Sequence, residues 1–222
     1  MGSLFQVDGF LYRSINKIMD VIGLSLLWLI TSLPIITIGA STSALYYTTY
    51  HSIRYDRGKV WSSYWKSFLG SFKQATIPWL LLMVFAYILG VNGYAAFMLY
   101  TAGNSSHWIF LPFLVSLLAI LMWAVYVFPM VGRFQNPTKL VIKNSFLINL
   151  RNLPWSFLLA CLCIISMVVV LLVPFALAYI PAAYTLISSV ILERIFVKYM
   201  SPEDAAMERE RNKREANEHS GR

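Results

Sequence analysis

No aspartate or glutamate occurs between Arg57 and Leu192. A stretch that long without a carboxylate supplies no paired acids for hydrolysis, no carboxylate-ligated metal and no acidic relay for a proton-coupled carrier. Charge of either sign is scarce: Asp, Glu, Lys and Arg make up 13% of the 222 residues, against roughly 25% in an average soluble chain. So few charges cannot cover the surface of a soluble fold of this size. Cysteine is limited to Cys161 and Cys163, whose i, i+2 spacing turns them to different sides of a helix. That spacing suits neither a shared metal nor a disulfide, and both are read as small apolar packing residues. The three histidines, His51, His107 and His219, are separated by loops, and His51 and His107 are read as solvated or interfacial. There is no HExxH, GxSxG, Walker loop, CxxC or dinucleotide fingerprint. The expectation is a protein that is not an enzyme, with no catalytic residues, no cofactor and no metal.

Apolar residues make up 58% of the chain. Three runs contain no charged residue at all: residues 21–53, 74–132 and 152–192, of 33, 59 and 41 residues. A helix crossing the hydrocarbon core needs about 20 residues, so the first run holds one span and the other two hold a pair each. The expected fold is an all-α, polytopic transmembrane helix bundle with about five spans, near 21–43, 77–99, 108–131, 154–173 and 175–197. Residues 1–200 form the transmembrane domain and 201–222 a short charged cytoplasmic tail.

The net charge of +8 resolves by region. From Glu193 onward seven basic residues balance seven acidic ones, so the excess lies in the body, where eleven Lys and Arg meet only Asp8, Asp20 and Asp56. The basic residues gather in 54–75 and 132–152 and are absent around 101–107 and 173–181. Short loops rich in Lys and Arg stay cytoplasmic, which puts those two segments and the tail inside a cell membrane and favours anionic lipids at the basic loops. No basic helix, zinc site or aromatic RNA platform accompanies the charge, so a nucleic-acid partner is excluded. Five spans put the N-terminus outside; a re-entrant hairpin broken at Pro34 to Gly39 would keep it inside. A cleaved signal ending near Ile38-Gly39-Ala40 is the other alternative, opposed by Asp8, Asp20 and a late apolar run.

Leu33-Pro34 inside the first span removes a backbone hydrogen bond and clashes with the Ile30 carbonyl. Gly39 and the hydroxyls of Ser41, Thr42 and Ser43 follow within two turns, so a break near Pro34 to Gly39 is expected. Irregular backbone at membrane depth must be buried in protein or line a cavity. Pro34, Thr37, Gly39, Ser41 and Ser43 are therefore the candidate packing or pathway segment. Tyr46, Tyr47 and Tyr50 fit an aromatic belt, residues 4–20 and 61–73 read as interfacial amphipathic helices, and Pro181 is expected to bend the last span. Ser67-Phe68-Leu69, Lys73 and Pro78-Trp79 recur as Ser145-Phe146-Leu147, Arg151 and Pro154-Trp155, an internal repeat of basic entry, Pro-Trp and two-helix hairpin. Ser201-Pro202-Glu203-Asp204 opens a short solvated helix in the tail.

Leu33-Pro34-Ile35-Ile36-Thr37-Ile38-Gly39-Ala40, then Ala44-Leu45-Tyr46-Tyr47, Phe68, Phe72-Lys73-Gln74 and Tyr126-Val127-Phe128-Pro129, resemble the YesL family of bacterial membrane proteins. The resemblance runs over residues 5–200, with Leu-Pro-x-x-Thr-x-Gly its most specific part. That family has no assigned biochemical activity, and its members often sit beside genes for carbohydrate uptake. The resemblance thus implies an accessory or regulatory partner of a carbohydrate uptake system, with sugar importer permease subunits as partners. The residues alone leave a second reading, a small carrier or channel for a neutral solute such as a sugar, lined by the Ser and Thr of the broken span.

Overall fold

The computed structural model describes residues 2–54, 59–101, 110–134 and 136–200, with side chains from Ile15 onward, and five single positions of the tail. The tail helix expected from Ser201, the side chains of the first amphipathic segment up to Ser14, and His107 and His219 lie outside the described residues. Among the described residues there are seven α-helices and no strand: α1 (Gly2–Ser32), α2 (Ile38–Thr48), α3 (Val60–Thr101), α4 (Phe110–Arg133), α5 (Thr138–Arg151), α6 (Leu153–Leu172) and α7 (Ile180–Tyr199). Five are long and apolar enough to cross a bilayer: the Ile15–Ser32 part of α1, α3, α4, α6 and α7. The all-α bundle with five spans stands.

The first span differs in its path. Instead of continuing to residue 43, α1 stops at Ser32, Pro34 opens a single 3-10 turn (Ile35–Thr37), and α2 starts at Ile38. Pro34 supplies no N–H, and its carbonyl accepts from the Thr37 backbone N–H at 2.9 Å. The chain then folds back, since Trp28 Nε1 donates to Thr42 Oγ1 at 3.3 Å. In a straight helix those two residues would stand about 21 Å apart. The turn makes a helical hairpin, and α1 also packs against the π-helical turn (Thr49–Arg54) that extends α2.

α2 sits at the centre, packed on α1, α3, α4 and α7. Eight of its eleven residues are buried: Gly39, Ala40, Ser41, Ser43, Ala44, Leu45, Tyr46 and Thr48. Most are small, which is what lets four helices approach one axis without a hydrophobic force between them in lipid. Tyr46 and Tyr50 are therefore core residues, 1% and 7% exposed, and do not join an outward aromatic belt.

The amphipathic segment 61–73 does not lie apart from the second span. Both belong to α3, a single helix of 42 residues with Pro78 in its interior, about 63 Å long. Val60, Tyr64, Phe68, Ser71, Ala75, Pro78 and Leu82 recur at three and four residues and form the buried stripe. The expected apolar face divides: Tyr64 and Phe68 turn inward, whereas Trp61, Trp65 and Leu69 are exposed. In the second copy of the repeat the chain breaks instead at Asn152, Pro154 sits in the first turn of α6, and Phe146 is exposed where Phe68 is buried. The copies match in sequence and diverge in conformation. Pro181 likewise starts α7 in place of bending it, because proline is tolerated in a first turn whose N–H groups have no helical partner anyway.

Candidate functional site

The five residues of the broken segment come together, with Pro34 at the surface and Gly39, Ser41 and Ser43 buried. Thr37 Oγ1 lies 2.6 Å from Pro34 O and 2.5 Å from Thr31 O, so one hydroxyl closes the turn against both helices it joins. Ser41 Oγ donates to Thr37 O at 2.9 Å. Thr31 Oγ1 meets Tyr64 Oη at 2.5 Å, and Trp79 Nε1 donates to Ile35 O at 2.7 Å, which ties the turn to α3 at two places. These bonds consume the polar groups that irregular backbone frees at membrane depth.

Gly39 is the tightest point. A Cβ there would stand 2.7 Å from Ala75 O, 2.8 Å from Trp79 Cβ and 3.1 Å from Phe128 Cε1. α2 repeats the device one turn on, where a Cβ at Gly132 would stand 2.5 Å from Ser43 O. Glycine is needed at both positions because α3 and α4 press their backbones against α2. The segment nominated as packing or pathway is, at Gly39, filled by protein. Ser43 Oγ is buried without a hydrogen-bond partner, as are Thr48 Oγ1 and Ser52 Oγ further along the same chain segment.

A second cluster was missed in the sequence. Glu193 is 5% exposed in α7, and its carboxylate is ion-paired with Arg133, 6% exposed at the end of α4. Tyr46 Oη donates to Glu193 Oε1 at 2.9 Å. The Arg133 guanidinium lies 4.8 Å over the Tyr50 ring and 5.4 Å from that of Phe134. Nearby, Arg54 Nη1 donates to Ser189 O at 2.8 Å, and Thr49 Oγ1 meets Thr185 Oγ1 at 3.1 Å. The signal was present: Glu193 is the sole acid from residue 57 to residue 202, and it falls inside an expected span. Assigning it to the neutral tail, and ending the carboxylate-free body at Leu192, hid it. The reading that the membrane body holds no carboxylate is corrected accordingly.

Taken together, α2, α4 and α7 are joined by one charged pair and a shell of neutral hydroxyls, a constellation that orients helices. Breaking such a pair by removing one partner costs about 3–5 kcal/mol, because a charge is left buried and unpaired. Among the described residues no three His, Cys, Asp or Glu converge as a metal site would require. Cys161 and Cys163 are free thiols.

A family profile described as a protein of unknown function, DUF624, matches residues 21–93. The match begins in α1, passes through the turn and all of α2, and ends within α3. No curated protein and no solved structure matches the chain.

Proposed function

We propose that the protein is a non-catalytic integral membrane protein acting as an accessory or regulatory partner of a carbohydrate uptake system, with sugar importer permease subunits as its partners. The observation that carries the non-transporting part is Gly39, where three atoms of α3 and α4 occupy the space a solute path through the break would need. The carbohydrate part rests on the resemblance to the YesL family. Lipid is the second partner. Exposed Lys66, Lys73, Lys139, Lys143 and Arg151 stand beside exposed Trp61, Trp65 and Trp155 on the outer faces of α3, α5 and α6, a combination that suits anionic headgroups.

One observation favours the other reading, a small carrier or channel for a neutral solute. Ser43, Thr48 and Ser52 keep buried hydroxyls without partners, and such groups can bind a hydroxyl-rich solute. A paired experiment separates the two. Under the accessory reading, the purified protein in liposomes passes no sugar and co-purifies with importer permease subunits from native membranes. Solute-specific flux by the protein alone, without co-purification, reverses the ranking.

A further inference from the structure

Glu193 has more than one guanidinium within reach. Arg133 and Tyr46 hold the carboxylate now. Arg54 Nη1 lies 2.8 Å from Ser189 O and 3.4 Å from Ser189 Oγ, on α7 one turn before Glu193. Residues i and i+4 share a face, so moving α7 by one turn, about 5.4 Å, brings Glu193 to where Ser189 now meets Arg54. Two other features favour such a move. Thr49–Arg54 is π-helical, a wide turn whose relaxation to α geometry changes the register of the residues after it. The contact between this turn and α7 is built from short side chains, Thr49, Ser52, Thr185, Ser188 and Ser189, all buried, with no bulky knob to lock one register.

We propose that α7 docks on α2 in two registers: the one described, with Glu193 paired to Arg133, and one displaced by a turn, with Glu193 paired to Arg54 and Ser189 opposite Thr49. A buried carboxylate strongly prefers either guanidinium to none, which makes the two registers discrete and the positions between them unfavourable. α7 leads directly into the charged tail. The move therefore couples the tail to α2 and the broken segment, independently of which reading of function holds.

Disulfide trapping in the full chain, with Cys161 and Cys163 replaced by alanine and the protein in liposomes, tests this. T49C with T185C reports the described register; T49C with S189C reports the displaced one. The second pair should cross-link weakly when Arg133 is present, rise several-fold in Arg133→Gln, and fall again in Arg54→Gln with Arg133→Gln. The first pair should change in the opposite sense. A rise that persists without Arg54 is general loosening and overturns the proposal, as does no rise in Arg133→Gln. A check that needs no charge variant is a spin-label pair at the exposed positions Ile36 and Ile187: two distance populations support two registers, and a single narrow one overturns them.

Discussion

At the residue scale, two glycines in the same protein have opposite requirements. Gly39 has no room for a methyl group, while Gly90 in α3 has nothing within 4 Å of where its Cβ would be. Gly39→Ala should therefore lose about 1–3 kcal/mol, the range typical of overpacking. Gly90→Ala should be neutral or gain up to about 1 kcal/mol, because glycine is the poorer helix former. Leu26→Ala, at a site 42% exposed toward lipid, should fall between them. Thermal melts of the three variants in detergent test the order, and a Gly39→Ala protein that melts like wild type contradicts the packing. Glu193 supports a second comparison. Glu193→Ala should cost about 3–5 kcal/mol by stranding Arg133, whereas Arg133→Leu with Glu193→Leu should recover most of the loss, since apolar replacement of a whole buried pair is often neutral or stabilising. A double variant no more stable than the single one would mean that the pair holds the fold in a way leucine cannot.

At the element scale, the turn between α1 and α2 is held from outside as much as by its proline. Thr37 bridges both helices, Trp79 reaches Ile35 O from α3, and Trp28 reaches Thr42 across the hairpin. Pro34→Ala restores an N–H but removes none of these bonds, so it should leave the hairpin folded. Trp79→Phe should cost about 1 kcal/mol, the net value of one hydrogen bond. A cross-link between cysteines at Trp28 and Thr42 reads the hairpin directly and should form equally in Pro34→Ala; its loss there would show that proline alone makes the turn. The break itself was legible from Leu33-Pro34 and Gly39, because proline's missing donor is a local fact. That the chain reverses was not legible, because it depends on Trp79 and Ala75, which are brought to the turn only by the fold. The same holds for residues 61–73: their spacing showed a helix with an apolar side, but not that Tyr64 and Phe68 would pack on protein while Trp61 and Leu69 face outward.

At the scale of the whole molecule, the apolar runs were enough to read an all-α bundle with five spans, because a bilayer demands helices of that length and composition. What they could not convey is the centre. α2 is shorter than a full span and too small in its side chains to stand out, yet four helices pack on it. The hairpin also bears on sidedness. If α1 and α2 run back to back, the N-terminus lies on the same side as the basic segments 54–75 and 132–152, and cysteines at Ser3, Ser63 and Asn136 should label from one side only; opposite labelling at Ser3 restores a single crossing by the first run. Above all, the broken segment is packed protein and not a pathway. The accessibility of single cysteines at Ser41 and Ser43 to a small membrane-impermeant thiol reagent, applied from each side of sealed liposomes, reads this directly, with Ile36 and Ser62 as exposed references. Packed protein leaves Ser41→Cys and Ser43→Cys unlabelled from both sides while the references react. Labelling of Ser41→Cys or Ser43→Cys that a neutral sugar suppresses would contradict the packing and make the segment a solute path.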